Sequence, residues 1–305
     1  MLVRGRFAPS PSGRMHLGNI YAALVSWLSV RKKNGIWLLR IEDLDRQRCK
    51  KQYAELIMDD LHWLGLDWDE GPFFQSERDA LYLNAFQKLK EKNLLYECFC
   101  RRGDLLASSA PHEGERAVYS GKCRLLTDAQ KKELMLTRSP AWRIKVPEED
   151  ISFCDGHYGL QVMNLKTDCG DFVLRRADGN FSYQLAVVVD DSLMEVTEVV
   201  RGMDLLSSTP QQIFLYGKLG YSCPEFFHIP LMVNGEGKRL CKRDSDCAMD
   251  LLRANFTPEE IIGKIMHYAG FIPEFEPLSA SDAVKFFDWK ALPGTNLGVK
   301  DNLYP

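Results

Sequence analysis

The chain has 305 residues, 45% hydrophobic and 27% charged, with 39 basic against 42 acidic side chains and a formal charge of −3. These are the fractions of a soluble globular protein with room for two or three domains, and they exclude a global basic field for nucleic acid. Nine cysteines, an odd number at irregular spacing, exclude a disulfide framework and point to a reducing cytoplasm.

In chain order, an apolar strand over 2–7 runs into a loop held by Pro9, Pro11 and Gly13, and a helix begins at about His16. A loop between a strand end and a helix start presents backbone N–H groups and a positive dipole end, which favour phosphate. His16 adds a donor for a phosphate oxygen, and Gly18 clears space for a nucleotide near the backbone. Leu17, Ile20, Tyr21, Leu24 and Leu28 recur at helical spacing and predict an amphipathic helix ending at Arg31-Lys-Lys33. Its apolar run is far short of the roughly 20 residues of a membrane span. A buried strand over 36–41 follows, ending at Glu42-Asp43. The unit is β-α-β, so a parallel sheet with a right-handed crossover is expected, and Glu42 neighbours the first loop by topology.

Helices are predicted over 52–64 and 77–92. The stretch from Tyr96 to Asp171 is Cys-rich at its start and loop-rich, with short strands near 142–146, and reads as an insertion. The nucleotide-type pattern resumes with a strand over 171–174, a helix over 181–190, a strand over 195–200 and a helix from Thr209 to Leu219. A cationic loop, Gly235-Glu-Gly-Lys-Arg-Leu-Cys-Lys-Arg243, precedes a helical tail in which Thr257-Pro-Glu-Glu260 is an N-terminal cap. The fold class is α/β. The expected division is a Rossmann-type catalytic domain over 1–95 and 172–220, an insertion over 96–171, and the cationic loop with a small helical domain over 221–305.

Paired with the first loop, the cationic loop suits transfer of an adenylyl group, where charge spreads over phosphate oxygens and the protein supplies positioning and electrostatic stabilisation. For an amino-acid substrate with two carboxylates, Arg6 and Arg201 are candidate partners, because a guanidinium can bond a carboxylate bidentately. Glu42 suits the ammonium, and Ser10 and Tyr183 offer hydroxyls. An ion pair of Arg201 with Asp190, Asp191 or Asp204 is the structural alternative. Cys98, Cys100 and Cys123 cluster as structural zinc ligands do. His112 is the conventional fourth ligand, with Tyr119 also within reach. Contact with RNA must use local basic groups such as Arg31-Lys-Lys33, Arg101-Arg102, Lys131-Lys132 or Arg175-Arg176.

His16-Leu-Gly-Asn19 resembles the HIGH motif of class I aminoacyl-tRNA synthetases, and Arg239-Leu-Cys-Lys-Arg243 resembles their KMSKS loop. Arg6-Phe-Ala-Pro-Ser-Pro-Ser-Gly13, Leu39-Arg-Ile-Glu-Asp-Leu-Asp45, Arg176-Ala-Asp-Gly-Asn-Phe-Ser-Tyr183, Val188-Val-Asp-Asp191 and Arg201-Gly-Met-Asp-Leu-Leu-Ser-Ser-Thr-Pro210 narrow the resemblance to the glutamyl/glutaminyl subgroup. Arg239 and Cys241 depart from the KMSKS pattern, and a thiol is a poorer hydrogen-bond partner than a hydroxyl. The resemblance implies L-glutamate binding by Arg6, Phe7, Ala8, Pro9, Ser10, Glu42, Tyr183 and Arg201. It implies ATP binding by His16, Asn19, Arg239 and Lys242, with Mg²⁺ on the triphosphate, and catalytic roles for His16, Gly18 and Lys242. It also names Tyr119 as the fourth ligand of one structural Zn²⁺, with Cys98, Cys100 and Cys123.

Only about sixty residues follow Arg243, fewer than the helical anticodon-binding region of a full glutamyl synthetase needs. The resemblance is thus to a truncated branch of the family. It implies activation of glutamate without tRNA, then transfer to the queuosine base at the wobble position of tRNA(Asp), whose anticodon stem-loop is the partner. A cytoplasmic monomer is expected. Charging of tRNA(Glu) at its terminal adenosine, or a non-catalytic RNA-binding role, are the alternatives.

Overall fold

The computed structural model describes residues 2–101, 118–234, 237 and 248–299. The chain begins β1 (Arg4–Phe7), α1 (Leu17–Lys32), β2 (Ile36–Ile41), α2 (Lys51–Trp63), β3 (Glu70–Phe74) and α3 (Asp79–Glu91). The next stretch holds β4 (Leu95–Cys98), α4 (Asp128–Met135), β5 (Ala141–Ile144), the hairpin of β6 (Asp150–Asp155) and β7 (Gly159–Asn164), and β8 (Phe172–Arg175). Then come α5 (Tyr183–Leu193), β9 (Glu198–Gly202), α6 (Thr209–Leu219), β10 (Glu225–Ile229) and β11 (Met232–Val233). The described chain closes with α7 (Met249–Asn255), α8 (Pro258–Tyr268), α9 (Ala280–Phe286) and β12 (Leu297–Gly298).

β1, β2 and β3 pair in parallel in the order β1-β2-β3, as the β-α-β pattern requires. β9 and β10 form a second parallel pair. Thr197 brings the two together: its N–H donates to the Arg4 carbonyl at 2.9 Å, and its hydroxyl accepts from the Arg4 N–H at 2.9 Å. β9 therefore starts alongside β1, and the carboxyl ends of both sets of strands face one region.

α1 differs from the amphipathic helix that its apolar spacing predicts. Ala23, Val25, Ser26, Trp27, Ser29 and Val30 are buried as well as the expected stripe. The helix packs on β1 and β9 on one side and on α9 on another, so nearly its whole circumference is covered. Its two buried serines are satisfied: Ser26 donates to the Arg6 carbonyl at 3.1 Å, and Ser29 donates to Glu198. The stretch over 171–174 also departs from the expected grouping. β8 pairs antiparallel with β5, which pairs antiparallel with β4, in a separate sheet.

The tail carries the predicted cap. Thr257 Oγ1 accepts from the Glu260 N–H at 3.3 Å, and Glu260 returns a bond to the Thr257 N–H at 2.7 Å. Asp60 on α2, wholly buried, accepts from Arg14 at 3.1 Å and from Arg253 on α7 at 2.9 Å, which staples the tail to the first loop. Among the described residues no helix is long and apolar enough to cross a membrane.

Candidate active site

β9 is not paired with β1 in one sheet, and a side chain links the two strands. Arg6 Nη1 donates to the Val200 carbonyl at 3.3 Å. A cavity of about 580 Å³ opens there, lined by Arg6, Ser10, His16, Glu42, Tyr183 and Arg201, with Phe7, Ala8 and Pro9 in its wall. A crevice at the carboxyl ends of parting strands is where open α/β sheets take ligands. The loop after β1 is stitched to the end of β2 and to the start of α2 by two backbone bonds of 2.9 Å, from Glu42 N and from Lys50 N to the Pro9 and Pro11 carbonyls respectively. Phe7 anchors the loop's start by stacking on Trp37 with ring centroids 6.1 Å apart.

A buried charge cluster sets Arg6 and Glu42 in place. Asp191 accepts from Arg40 at 2.6 Å and from Arg6 at 3.3 Å, and Arg40 reaches Glu42 at 3.2 Å. Asp190, its neighbour on α5, accepts from Arg78 at 2.7 Å, Gln75 at 2.8 Å and Tyr82 at 2.8 Å. Burial raises the Glu42 carboxyl, against the opposing pull of Arg40 and then Arg6. A cationic ligand group in the cavity would favour its ionised form.

Arg201 is different. It is 5% exposed, yet among the described residues its hydrogen bonds go only to neutral groups. Its Nε donates to His228 Nε2 at 3.0 Å, and Nη1 to Gln212 at 2.8 Å and the Tyr183 hydroxyl at 3.3 Å. Nη2 donates to Thr209 at 2.8 Å. Among the described residues Arg201 makes no ion pair with Asp190, Asp191 or Asp204, the alternative left open above: Asp190 and Asp191 bond Arg78, Arg40 and Arg6, and Asp191 attracts Arg201 only through space. A buried guanidinium whose hydrogen bonds to the described residues all go to neutral groups, at the wall of a cavity, can receive a ligand's carboxylate.

At the other end of the cavity His16 caps α1, and its N–H donates to the Asn19 side chain at 3.1 Å. Gly18 serves the histidine as well as any nucleotide: a Cβ there would fall 3.1 Å from His16 Cε1. Met249 N donates to the Met15 carbonyl at 3.0 Å, and Ala248 bridges to His16, so the start of α7 docks on the first loop. Arg239 and Lys242 lie outside the described residues, as do Cys241 and His112.

The family model of the class I tRNA synthetases (E and Q), catalytic domain, matches residues 2–290. The chain belongs to this family. It is similar to the glutamyl-Q tRNA(Asp) synthetase of Symbiobacterium thermophilum, 44% identical over 302 residues, 95% of this chain and 93% of that protein. The protein of the same name from Nitratidesulfovibrio vulgaris is 44% identical over 305 residues, 96% of this chain and 94% of that one. Among solved structures, a glutamate tRNA ligase from Elizabethkingia meningosepticum in complex with its amino acid superposes with a TM-score of 0.84 at 28% identity. That match covers 99% of this chain and 68% of the ligase. The protein is a ligase of the aminoacyl-tRNA synthetase type.

The synthetase's cysteine cluster closes as a unit. The Sγ atoms of Cys98, Cys100 and Cys123 all lie within 4.8 Å of one another. The Tyr119 hydroxyl is 3.5 Å from Cys98 Sγ and 3.8 Å from Cys100 Sγ. Arg143 on β5 donates to Cys98 Sγ at 3.3 Å, and its guanidinium lies 4.0 Å from the Tyr119 ring centroid.

Reading the sequence missed Arg40, Gln212, Thr209, Asp155 and His228. Thr209 lies inside a quoted motif, so a contact with Arg201 was discoverable there. Arg40 sits mid-strand, where an arginine reads as exposed. Because Arg40 leaves Asp191, Asp190 and Glu42 short of a partner when removed, Arg40→Met is expected to lower the unfolding free energy by about 3–5 kcal/mol. Urea denaturation checks this, and a change below about 1 kcal/mol would show that the cluster tolerates the loss.

Proposed function

We propose that the synthetase activates L-glutamate with ATP in the absence of tRNA and transfers the glutamyl group to the queuosine base at the wobble position of tRNA(Asp). The observation that carries the first half is Arg201, buried at the wall of the cavity and hydrogen-bonded, among the described residues, only to neutral groups, in a cavity shared with Arg6 and Glu42. Two guanidinium groups and one carboxylate match the two carboxylates and one ammonium of glutamate. Glutamine would leave one guanidinium short of a charge, which disfavours it. The names of the full-length relatives support the second half.

In the first step a carboxylate oxygen of glutamate attacks the α-phosphorus of ATP and pyrophosphate leaves. His16 and the N–H groups at the start of α1 hold the phosphates, Mg²⁺ accompanies the triphosphate, and Lys242 meets the developing charge. In the second step a hydroxyl of the modified base attacks the acyl carbon and AMP leaves. Holding both reactants supplies much of the acceleration, so no dedicated general base is required.

The RNA approaches over an exposed cationic lip beside the cavity. Arg46, Arg48, Lys50 and Lys51 project there, and a groove of about 720 Å³ lined by Arg48, Lys50, Lys51 and Ser12 adjoins the first loop. Ion pairs occur both here, Arg46 with Asp79 and Lys51 with Glu55, and among the basic groups singled out in the sequence, Arg31 with Asp69, Lys33 with Glu198, Lys131 with Asp128 and Arg176 with Asp178.

Cys98, Cys100, Cys123 and Tyr119 would hold one Zn²⁺, which four protein ligands close off from chemistry and leave to organise the fold. Three sulfurs and a phenol oxygen converging on one point fit that ion.

Three measurements follow. Arg6→Ala and Arg201→Ala are each expected to abolish glutamate-dependent pyrophosphate exchange while the circular dichroism spectrum is kept; near-normal exchange in either refutes the pocket. Radiolabelled glutamate and ATP, offered with tRNA(Glu) and with tRNA(Asp) carrying or lacking queuosine, should label only the queuosine form. Label on tRNA(Glu) would instead make it a charging enzyme, and no adenylate at all a binding protein. Metal analysis should find one zinc per chain, lost with thermal stability in Cys123→Ser, and a metal-free wild type of full stability overturns the zinc assignment.

A further inference from the structure

Asp155 occupies the turn of the β6–β7 hairpin, where it accepts the N–H groups of His157 at 3.0 Å and Tyr158 at 2.9 Å. The same carboxylate reaches β10. It accepts the His228 backbone N–H at 3.2 Å and lies 2.6 Å from His228 Nδ1. The turn is pressed onto that strand: Gly156 N donates to the Phe226 carbonyl at 2.8 Å, and a Cβ on Gly156 would fall 2.0 Å from the Phe227 ring. His228 and Asp155 are both buried, at 0% and 1% exposure.

The chemistry of Arg201 then dictates the tautomer. A guanidinium Nε–H can only donate, so His228 Nε2, 3.0 Å away, must present its lone pair. The ring proton therefore sits on Nδ1, facing Asp155. Burial pushes the imidazole's pKa down despite the carboxylate, and hydrogen bonds from His228 and Tyr158 hold Asp155 below the usual carboxylate range against its own burial. A neutral imidazole between a carboxylate and an arginine is a one-way orienting chain.

We infer that Asp155 and His228 are positioning residues for glutamate activation: they fix Nε of Arg201 and so hold its Nη groups in the carboxylate-binding orientation before any RNA arrives. The inference rests on the reading of Arg201 as a carboxylate receptor. It makes the β6–β7 hairpin, remote in sequence from every motif, a structural part of the amino-acid site. In Asp155→Asn the amide can donate to Nδ1, which shifts the ring proton to Nε2 and sets two donors against each other at Arg201.

The test is steady-state pyrophosphate exchange in the intact protein, with glutamate and ATP varied separately. Asp155→Asn and His228→Leu should raise the KM for glutamate by about tenfold or more and leave the KM for ATP within about twofold. His228→Gln, which retains an acceptor for Nε, should recover most of the loss. The acid limb of the glutamate kcat/KM profile should reflect the imidazole, whose facing groups are Asp155 from the hairpin, Arg201 from β9 and Asp204 from the turn after β9. Lowering the pH through its depressed pKa adds a proton at Nε2 and weakens glutamate binding; that limb should disappear in His228→Gln. Equal rises in both KM values, or none in Asp155→Asn with its melting temperature kept, would overturn the inference. Should His228→Leu fail to fold, Asp155→Asn and His228→Gln decide alone. A wild type without glutamate-dependent exchange would instead sink the functional reading itself.

Discussion

Asp191, 2% exposed, holds two arginines at once, Arg40 at 2.6 Å and Arg6 at 3.3 Å. Through them it ties β1, β2 and α5 together at the carboxyl ends of the strands. Charges removed from water cost several kcal/mol each, on the order of what their mutual attraction returns, so such a cluster is better understood as a specifier of geometry than as a source of stability. What it specifies is the distribution of charge around the cavity. Arg6 is hydrogen-bonded to Asp191, whereas the hydrogen bonds of Arg201 to the described residues go only to neutral groups, and Asp191 reaches it only through space. The two arginines are therefore unequal in how directly a carboxylate balances them.

This inequality explains why Arg201 needs so many supports. A cation left in a place with little water is tolerated only when its donors are occupied. His228, Gln212, Thr209 and Tyr183 occupy them with oxygen or nitrogen lone pairs, which solvate the guanidinium without cancelling its charge. A carboxylate in any of those positions would satisfy the same bonds and cancel the charge that the guanidinium presents to the cavity.

Much of this was legible before the structure. His16, Gly18, Arg6, Glu42, Tyr183 and Arg201 lie in short contiguous motifs, so their gathering around one cavity could be expected from neighbours in the chain, and the order strand-loop-helix-strand placed Glu42 beside the first loop. The Thr257 cap was legible for the same reason, since its partner is three residues away. Asp155 and His228 were not, because 73 positions separate them and neither stands in a pattern with its contact. The burial of α1 escaped for a different reason. Alanine and serine on its far face look indifferent to water, and only a helix and two strands closing over them make that face interior. The fate of the 171–174 strand depended likewise on which partner it found, Arg143 and Ile144 on β5, and local pattern carries no information on that.

The enclosure of α1 also bears on time. A helix covered by strands on one side and another helix on the other has no cheap local opening, so its amides exchange with solvent chiefly when the whole domain unfolds. Its first turn, where His16 and Gly18 meet the cavity, shares that rigidity through the helix that it begins. The dipoles at this end therefore stand aimed into the cavity before any ligand arrives. Little reorganisation is left for the moment of bond exchange, when a softer helix start would have to spend part of its field on straightening itself.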